Sequence, residues 1–117
     1  MKITVSMKEN RLFRRLYNKG KTAADGRLAL YVRGNGGKTN RLGFTVSTKL
    51  GHAVVRNRTR RRLREIYRLH EEQIVPGVDI VVVARVRAAS STYWQLEKSF
   101  LHLAGKLKLL KEQEKQA

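Results

Sequence analysis

Residues 56–68 read Arg56-Asn57-Arg58-Thr59-Arg60-Arg61-Arg62-Leu63-Arg64-Glu65-Ile66-Tyr67-Arg68, seven arginines and a single glutamate in thirteen positions. No other segment limits the fold so strongly. At about 3.6 residues per turn, a helix gathers Val55, Thr59, Leu63, Ile66, Tyr67 and His70 on one arc. Asn57, Arg58, Arg60, Arg61, Arg62, Arg64 and Arg68 fan over the rest. Arg56 projects near the apolar arc, in the first turn, where it can reach past the core edge. Such a helix has one narrow face to bury against a second layer.

The same pattern is costly for the chain by itself. Like charges at i, i+4 (Arg56/Arg60, Arg60/Arg64, Arg64/Arg68) each cost roughly 0.2–0.5 kcal/mol. Cations in the first turns meet the positive end of the helix dipole, at ~0.3–1 kcal/mol each in low salt. Only Glu65 offsets them locally. A densely negative ligand reverses both penalties, and guanidinium suits bidentate phosphate contacts and stacking on bases. The whole chain leans the same way: 26 Lys+Arg stand against 9 Asp+Glu, a net charge of +17. A polyanionic partner is therefore expected.

The remaining segments supply the second layer. A first helix is predicted over about Met7 to Asn18. Ser6 and Glu9 have capping-box spacing, Leu12, Phe13, Leu16 and Tyr17 make one apolar face, and Gly20 serves as C-cap. Leu28, Leu30 and Val32 alternate with Ala29, Tyr31 and Arg33. After the turn Gly34-Asn35-Gly36-Gly37, Leu42, Phe44 and Val46 alternate with Gly43, Thr45 and Ser47. Two strands follow, with one bulky face and one shallow face carrying Tyr31, Gly43, Thr45 and Ser47. The arginine helix fits about His52 to Glu72, Pro76-Gly77 breaks the chain, and Val78 to Val86 reads as an interior strand. A last helix starts after Ser91 or Thr92, with Thr92 and Gln95 at capping-box spacing. Its stripe is Leu96, Phe100, Leu103, Leu107 and Leu110. Gly51 to Gly77 is long enough for a crossover between parallel strands. The expectation is an α+β two-layer sandwich, a single domain with helices on one face of a sheet, ordered over about 7–112 and frayed from Lys111 to Ala117.

Several classes are set aside. The longest apolar run, Ile80 to Ala84, is far short of the about 20 residues of a membrane span, and Met1 to Ser6 lacks the apolar stretch of a signal peptide. The narrow apolar arc of the arginine helix does not fit a membrane-surface helix, so no membrane partner is expected. The strand signals argue against a compact helical DNA reader. The chain has no cysteine, which agrees with a reducing cytoplasm. His52, His70 and His102 have no triad or metal-ligand spacing. Asp25 and Asp79 lie far apart, and Glu71 and Glu72 point in different directions on a helix. A nuclease acting through its own side chains is not expected.

The segment Lys49-Leu50-Gly51-His52-Ala53-Val54-Val55-Arg56-Asn57-Arg58-Thr59-Arg60-Arg61-Arg62-Leu63-Arg64-Glu65 resembles the signature of the bacterial ribonuclease P protein component. That signature is a Lys-x-Gly-x-Ala-Val lead followed by Arg-Asn-Arg-x-(Lys/Arg)-Arg-x-x-Arg-(Glu/Gln). Phe44-Thr45-Val46-Ser47 before it, Phe13-x-x-x-Tyr17-x-x-Gly20, Tyr31 and Ala84-Arg85 are similar to further family positions. The likeness spans about Met7 to Leu110. Three departures stand out: Thr48 where a second basic residue is common, no basic Arg-Leu lead before Met7, and Arg60 in place of a common Lys.

The resemblance implies a fold of the ribosomal protein S5 domain 2-like type, a central sheet with helices and a left-handed βαβ crossover. The general rule gives right-handed crossovers in about 98% of cases, so the hand rests on the family alone. It implies a single RNA-binding domain that binds the catalytic RNA of ribonuclease P and the 5′ leader of precursor tRNA, one protein per RNA. The holoenzyme is an endoribonuclease that removes the leader to form the mature tRNA 5′ end. Its catalytic groups are expected on the RNA, with Mg²⁺ held mainly there and none bound tightly by this chain. Arg56, Asn57, Arg58, Arg60, Arg61, Arg64 and Arg68 are then the contacts to the catalytic RNA. Phe13, Tyr17 and Tyr31, with Arg33 and Lys49, are the leader-binding cleft. Aromatic faces stack on unpaired bases with little sequence demand, which suits leaders of varied sequence. Phe13 and Tyr17 are equally readable as plain core. A structural RNA-binding protein without a part in cleavage is the competing class.

Overall fold

A computed structural model describes residues 4–6 and 10–111, with side chains from Phe13 onward. The element order is β1 (Thr4–Ser6), α1 (Asn10–Lys19), β2 (Lys21–Ala24), β3 (Leu28–Gly34), β4 (Asn40–Val46), α2 (Ala53–His70), β5 (Val78–Ala84) and α3 (Tyr93–Lys106). The Ser6/Glu9 capping box, the first turn from Met7, the Leu12 side chain and the tail beyond Lys111 lie outside the described residues.

The five strands form one sheet in the order β1-β4-β5-β3-β2. β5 is the middle strand, parallel to β4 (Leu42 opposite Ile80) and antiparallel to β3 (Tyr31 opposite Val81). A central strand is covered on both faces, hence its nearly unbroken apolar run: Ile80, Val81 and Val82 are all buried. Its one acid, Asp79, is neutralised by Arg41, whose Nε and Nη2 each donate to the carboxylate at 2.7 Å. Asn35 Nδ2 donates a third bond at 3.0 Å. The glycine-rich turn does join β3 to β4, but not as a hairpin, because β5 sits between them.

α2 and α3 cover one face of this sheet. Leu28, Leu30, Val32, Leu42, Val46, Ile80 and Val82 meet Leu63, Ile66, Tyr67, Leu96, Phe100 and Leu103 in a single core. Tyr67 and Phe100 cross edge to face, centroids 6.3 Å apart. This is the expected sandwich, with α2 as the crossover between parallel β4 and β5. One layer differs. α1 lies on the opposite face, where Leu16 packs on Val81 with Phe13, Tyr31 and Val83 around it. The sequence reading placed all helices on one side; Val81 points away from Ile80 and Val82, so α1 covers the other.

Three boundaries shift for local reasons. α2 ends at His70 and passes into a 3₁₀ turn over Glu71–Gln73. β5 ends at Ala84 rather than Val86. The α3 capping box forms as expected: Gln95 N–H donates to Thr92 Oγ1 (3.1 Å) and Thr92 N–H to Gln95 Oε1 (2.9 Å). Its stripe runs out at Lys106, since Lys108 takes a positive φ of 58° and turns the chain. Leu107 and Leu110 are then off the helix and half-buried, and Leu109 is the buried residue. Gly20 ends α1 by close approach rather than left-handed geometry. A Cβ there would lie 2.6 Å from the Leu16 carbonyl oxygen and 2.8 Å from that of Val32.

Candidate nucleic-acid interface

α2 buries the arc expected of it. Thr59, Leu63, Ile66 and Tyr67 are buried, while Val55 and His70 are half-buried at its margins. The Thr59 hydroxyl donates to the Val55 carbonyl at 3.0 Å, so its burial strands no donor. The helix opens abruptly from Gly51, whose φ of 139° is a conformation L side chains rarely adopt. His52 caps the helix without a side-chain hydrogen bond, and no acid lies in the first turn. The amide groups at that end are thus free of side-chain capping, and the positive end of the dipole is open.

The arginines divide by what they touch. Arg56 Nε donates to the Gly51 carbonyl at 3.2 Å and stiffens the helix entrance. Arg62, outside the expected contact set, donates from Nη1 to the Ser91 carbonyl at 3.2 Å and ties α2 to the turn before α3. Arg68 is held by Glu65, with Nε donating to Oε2 at 3.0 Å. That hydrogen bond holds the Glu65 carboxyl below its ordinary range and pushes the Arg68 guanidinium up in return. Asn57, Arg61 and Arg64 are exposed, and Arg58 and Arg60 half-buried. Arg58, Arg60, Arg61 and Arg64 have no acidic partner among the described residues, and Arg58 Nε is buried without a hydrogen-bond acceptor. The outward arc is a row of guanidinium groups poised for anions.

A second feature lies on the other side of the sheet. Phe13, Arg14, Tyr17, Phe44, Thr45 and Val46 line an open cleft of about 710 Å³ between α1 and the β4 edge. Tyr17 is 40% exposed. Its ring stands edge-on to Tyr31, centroids 4.8 Å apart at 83°, and its hydroxyl lies 2.9 Å from Thr45 Oγ1. Tyr31 is half-buried and acts as the wall against which Tyr17 is held. β1 pairs with β4 only from Asn40 to Leu42. Among the described residues, therefore, β4 from Gly43 onward has a partner on one side only, and the cleft opens along that edge.

Of the five residues assigned to the cleft from sequence, Phe13 and Tyr17 line it and Tyr31 backs it. Lys49 is exposed on the 3₁₀ turn Thr48–Leu50, between the end of β4 and the start of α2. Arg33 shares the strand face of Tyr31 but lies opposite Asp79 at the far end of the sheet. There it joins Lys19, Lys21 and Lys108 around a separate groove, not the cleft. Sequence reasoning missed Arg14, Phe44 and Val46 as lining residues. Thr45 was signalled by strand alternation, which placed it on the shallow face with Tyr31.

Known proteins agree with this arrangement. The family model described as Ribonuclease P matches residues 1–108. The ribonuclease P protein component of Alkaliphilus metalliredigens is 44% identical over 104 residues, 89% of this chain and 94% of that protein. That of Alkaliphilus oremlandii is 41% identical over 110 residues, 94% of this chain and 96% of that protein. Among solved structures, the RNase P protein of Staphylococcus aureus superposes with a TM-score of 0.84 at 36% identity, covering 90% of this chain and 96% of its own. That of Thermotoga maritima superposes with a TM-score of 0.76 at 30% identity, covering 83% and 92%. With its signature arginines on the outward arc of α2 and its α+β fold matched along nearly the whole chain, this protein belongs to the ribonuclease P protein family.

Proposed function

We propose that this chain is the protein subunit of ribonuclease P, working in the cytoplasm as one protein per catalytic RNA. It binds the catalytic RNA through the outward arc of α2, and the 5′ leader of precursor tRNA through the cleft of Phe13, Tyr17 and Tyr31. Asn57, Arg58, Arg60, Arg61 and Arg64 make the phosphate and sugar contacts. Arg56 and Arg68 contribute charge while holding the helix entrance and its C-terminal half. Lys49, exposed between the two surfaces, steers the leader backbone.

The observation that carries this reading is the row of guanidinium groups without acidic partners. It is uniform in sign, mounted on a helix whose other face is fixed in the core, and spelled in the family's signature. Counterion release on phosphate contact supplies affinity, and the aromatic cleft supplies a seat for unpaired bases. Together they hold a precursor tRNA against the RNA active site, which raises cleavage by positioning.

Mg²⁺ held by the RNA supplies the hydrolytic chemistry in this proposal. The donor set of the chain supports leaving it there. Among the described residues no three His, Asp or Glu side chains gather as a metal site. Asp79 is committed to Arg41, and Asp25 Oδ1 accepts from the N–H groups of Arg27 (2.8 Å) and Leu28 (2.9 Å). The test is reconstitution with the matching catalytic RNA at low Mg²⁺ and moderate salt. Faster cleavage of precursor tRNA when the protein is added is the expected result. No change in cleavage overturns the reading.

A further inference from the structure

Trp94, the only tryptophan of the chain, is 72% exposed in the first turn of α3. A lone exposed aromatic is ordinary on a protein surface; its surroundings set this one apart. The ring of Tyr93 meets it edge to face, centroids 5.2 Å apart at 87°. Trp94 is thus held in place while most of its surface stays open. Tyr93 in turn lies beside the arginine helix. Burial and the carboxylates of Glu97 and Glu65 push its phenol up, with Arg68 opposing. Three residues before Trp94, the Ser91 carbonyl accepts the hydrogen bond from Arg62. α3 therefore starts against α2 at Arg62 and at the Glu65–Arg68 pair, on the side of the sheet away from the leader cleft.

We propose that Trp94 is an additional RNA-binding residue, stacking on an unpaired base of the catalytic RNA whose backbone lies along the α2 arginines. This rests on the functional reading above and extends the interface from α2 onto the start of α3. The chemistry favours RNA over a protein partner because α2, against which α3 starts, carries seven arginines and one glutamate over residues 56–68. Stacking needs an open π face on both partners, so the target is a base outside a duplex. Such a contact engages a base directly, whereas phosphate contacts position the protein without touching base identity.

The full chain reports on this directly, since Trp94 is its sole indole fluorophore. Titration with the matching catalytic RNA is expected to quench the emission strongly and to shield Trp94 from acrylamide. Trp94→Ala is expected to weaken binding to that RNA about tenfold, with the slope of log affinity against log salt unchanged because no phosphate contact is lost. Trp94→Phe is expected to recover most of the affinity. Normal binding with unchanged emission and unchanged acrylamide quenching overturns the proposal while leaving the subunit assignment intact. So does shielding that appears only when a second protein is added. Failure of the wild-type protein to bind the catalytic RNA at all overturns the assignment itself, and this inference with it.

Discussion

The two faces of the sheet are built to different specifications. On one, α2 and α3 press a continuous layer of leucine, isoleucine, valine and aromatic side chains onto β3, β4 and β5. On the other, among the described residues, Leu16 of α1 packs on Val81 with Phe13 and Tyr31 at the edge, and a groove opens beside them. The first face anchors a helix whose outer surface is crowded with like charge, and a thick core offsets that repulsion. The second leaves an open cleft beside α1, which is the room the proposed leader contact requires.

The largest expected effect tests this asymmetry of support. Phe100→Ala should cost ~3–5 kcal/mol in urea unfolding, because the cavity opens in the closed core. Leu16→Ala should cost less, near ~2 kcal/mol, since the neighbouring groove lets side chains relax into the gap. Equal losses would mean that α1 is as firmly integrated as α2 and α3.

The next test separates support from charge. Arg60→Ala with Arg64→Ala should flatten the salt dependence of catalytic-RNA affinity by about one unit per lost phosphate contact. Stability should hold or rise, as each relieved like-charge pair returns roughly 0.2–0.5 kcal/mol. An unchanged slope would remove these arginines from the interface. On the grooved face, Tyr31→Ala should weaken precursor tRNA by ~1–3 kcal/mol while sparing mature tRNA. Tyr17→Phe, which deletes only the hydroxyl facing Thr45, should have a smaller effect. Equal weakening of both RNAs would refute a leader role for this face.

The smallest effect is acidic. Burial raises the Asp25 carboxyl, but hydrogen bonds from Leu28 N–H, the Ser99 side chain and Arg27 N–H, with the Arg27 charge, bring it below its ordinary value. The folded state therefore binds this proton more weakly than the unfolded chain. The contribution is full above the unfolded carboxylate range and is lost as pH falls through the depressed folded value. Asp25→Asn should make the acid limb of the stability curve slightly shallower. An identical limb would show that the turn bonds, not the charge, set its worth.

What the sequence disclosed followed from how local each signal is. The buried arc of α2 was legible because helical periodicity names the packed residues directly. The capping box of α3 was legible for the same reason. β2, Lys21-Thr22-Ala23-Ala24, was not, because a short and largely exposed edge strand carries little apolar alternation. Periodicity also says which residues of α1 are buried but not which face of the sheet buries them, so the opposite placement of α1 was hidden. The leucine stripe of α3 overran the helix because the turn at Lys108 involves a residue type with no turn signature. In the cleft, Tyr17 and Phe13 were visible as aromatics. The separation of Arg33 from them depends on strand length, which moves it to the far end of the sheet. Trp94 carried no signal in one dimension, since its meaning comes from α2 lying beside it.

The insertion of β5 between β3 and β4 has a consequence for how the molecule is made. β3 can meet β2 and β4 can meet β1 early, but neither can pair with β5 until residue 84 has left the ribosome, by which time all of the arginine segment has emerged. For that interval the cationic stretch lacks the central strand of the sheet it rests on. The pairings of β5 with β3 and β4 are non-local, so the sheet closes late and comparatively slowly. The nascent chain thus offers its charge to solvent, and to any nearby polyanion, before it acquires the scaffold that will aim it.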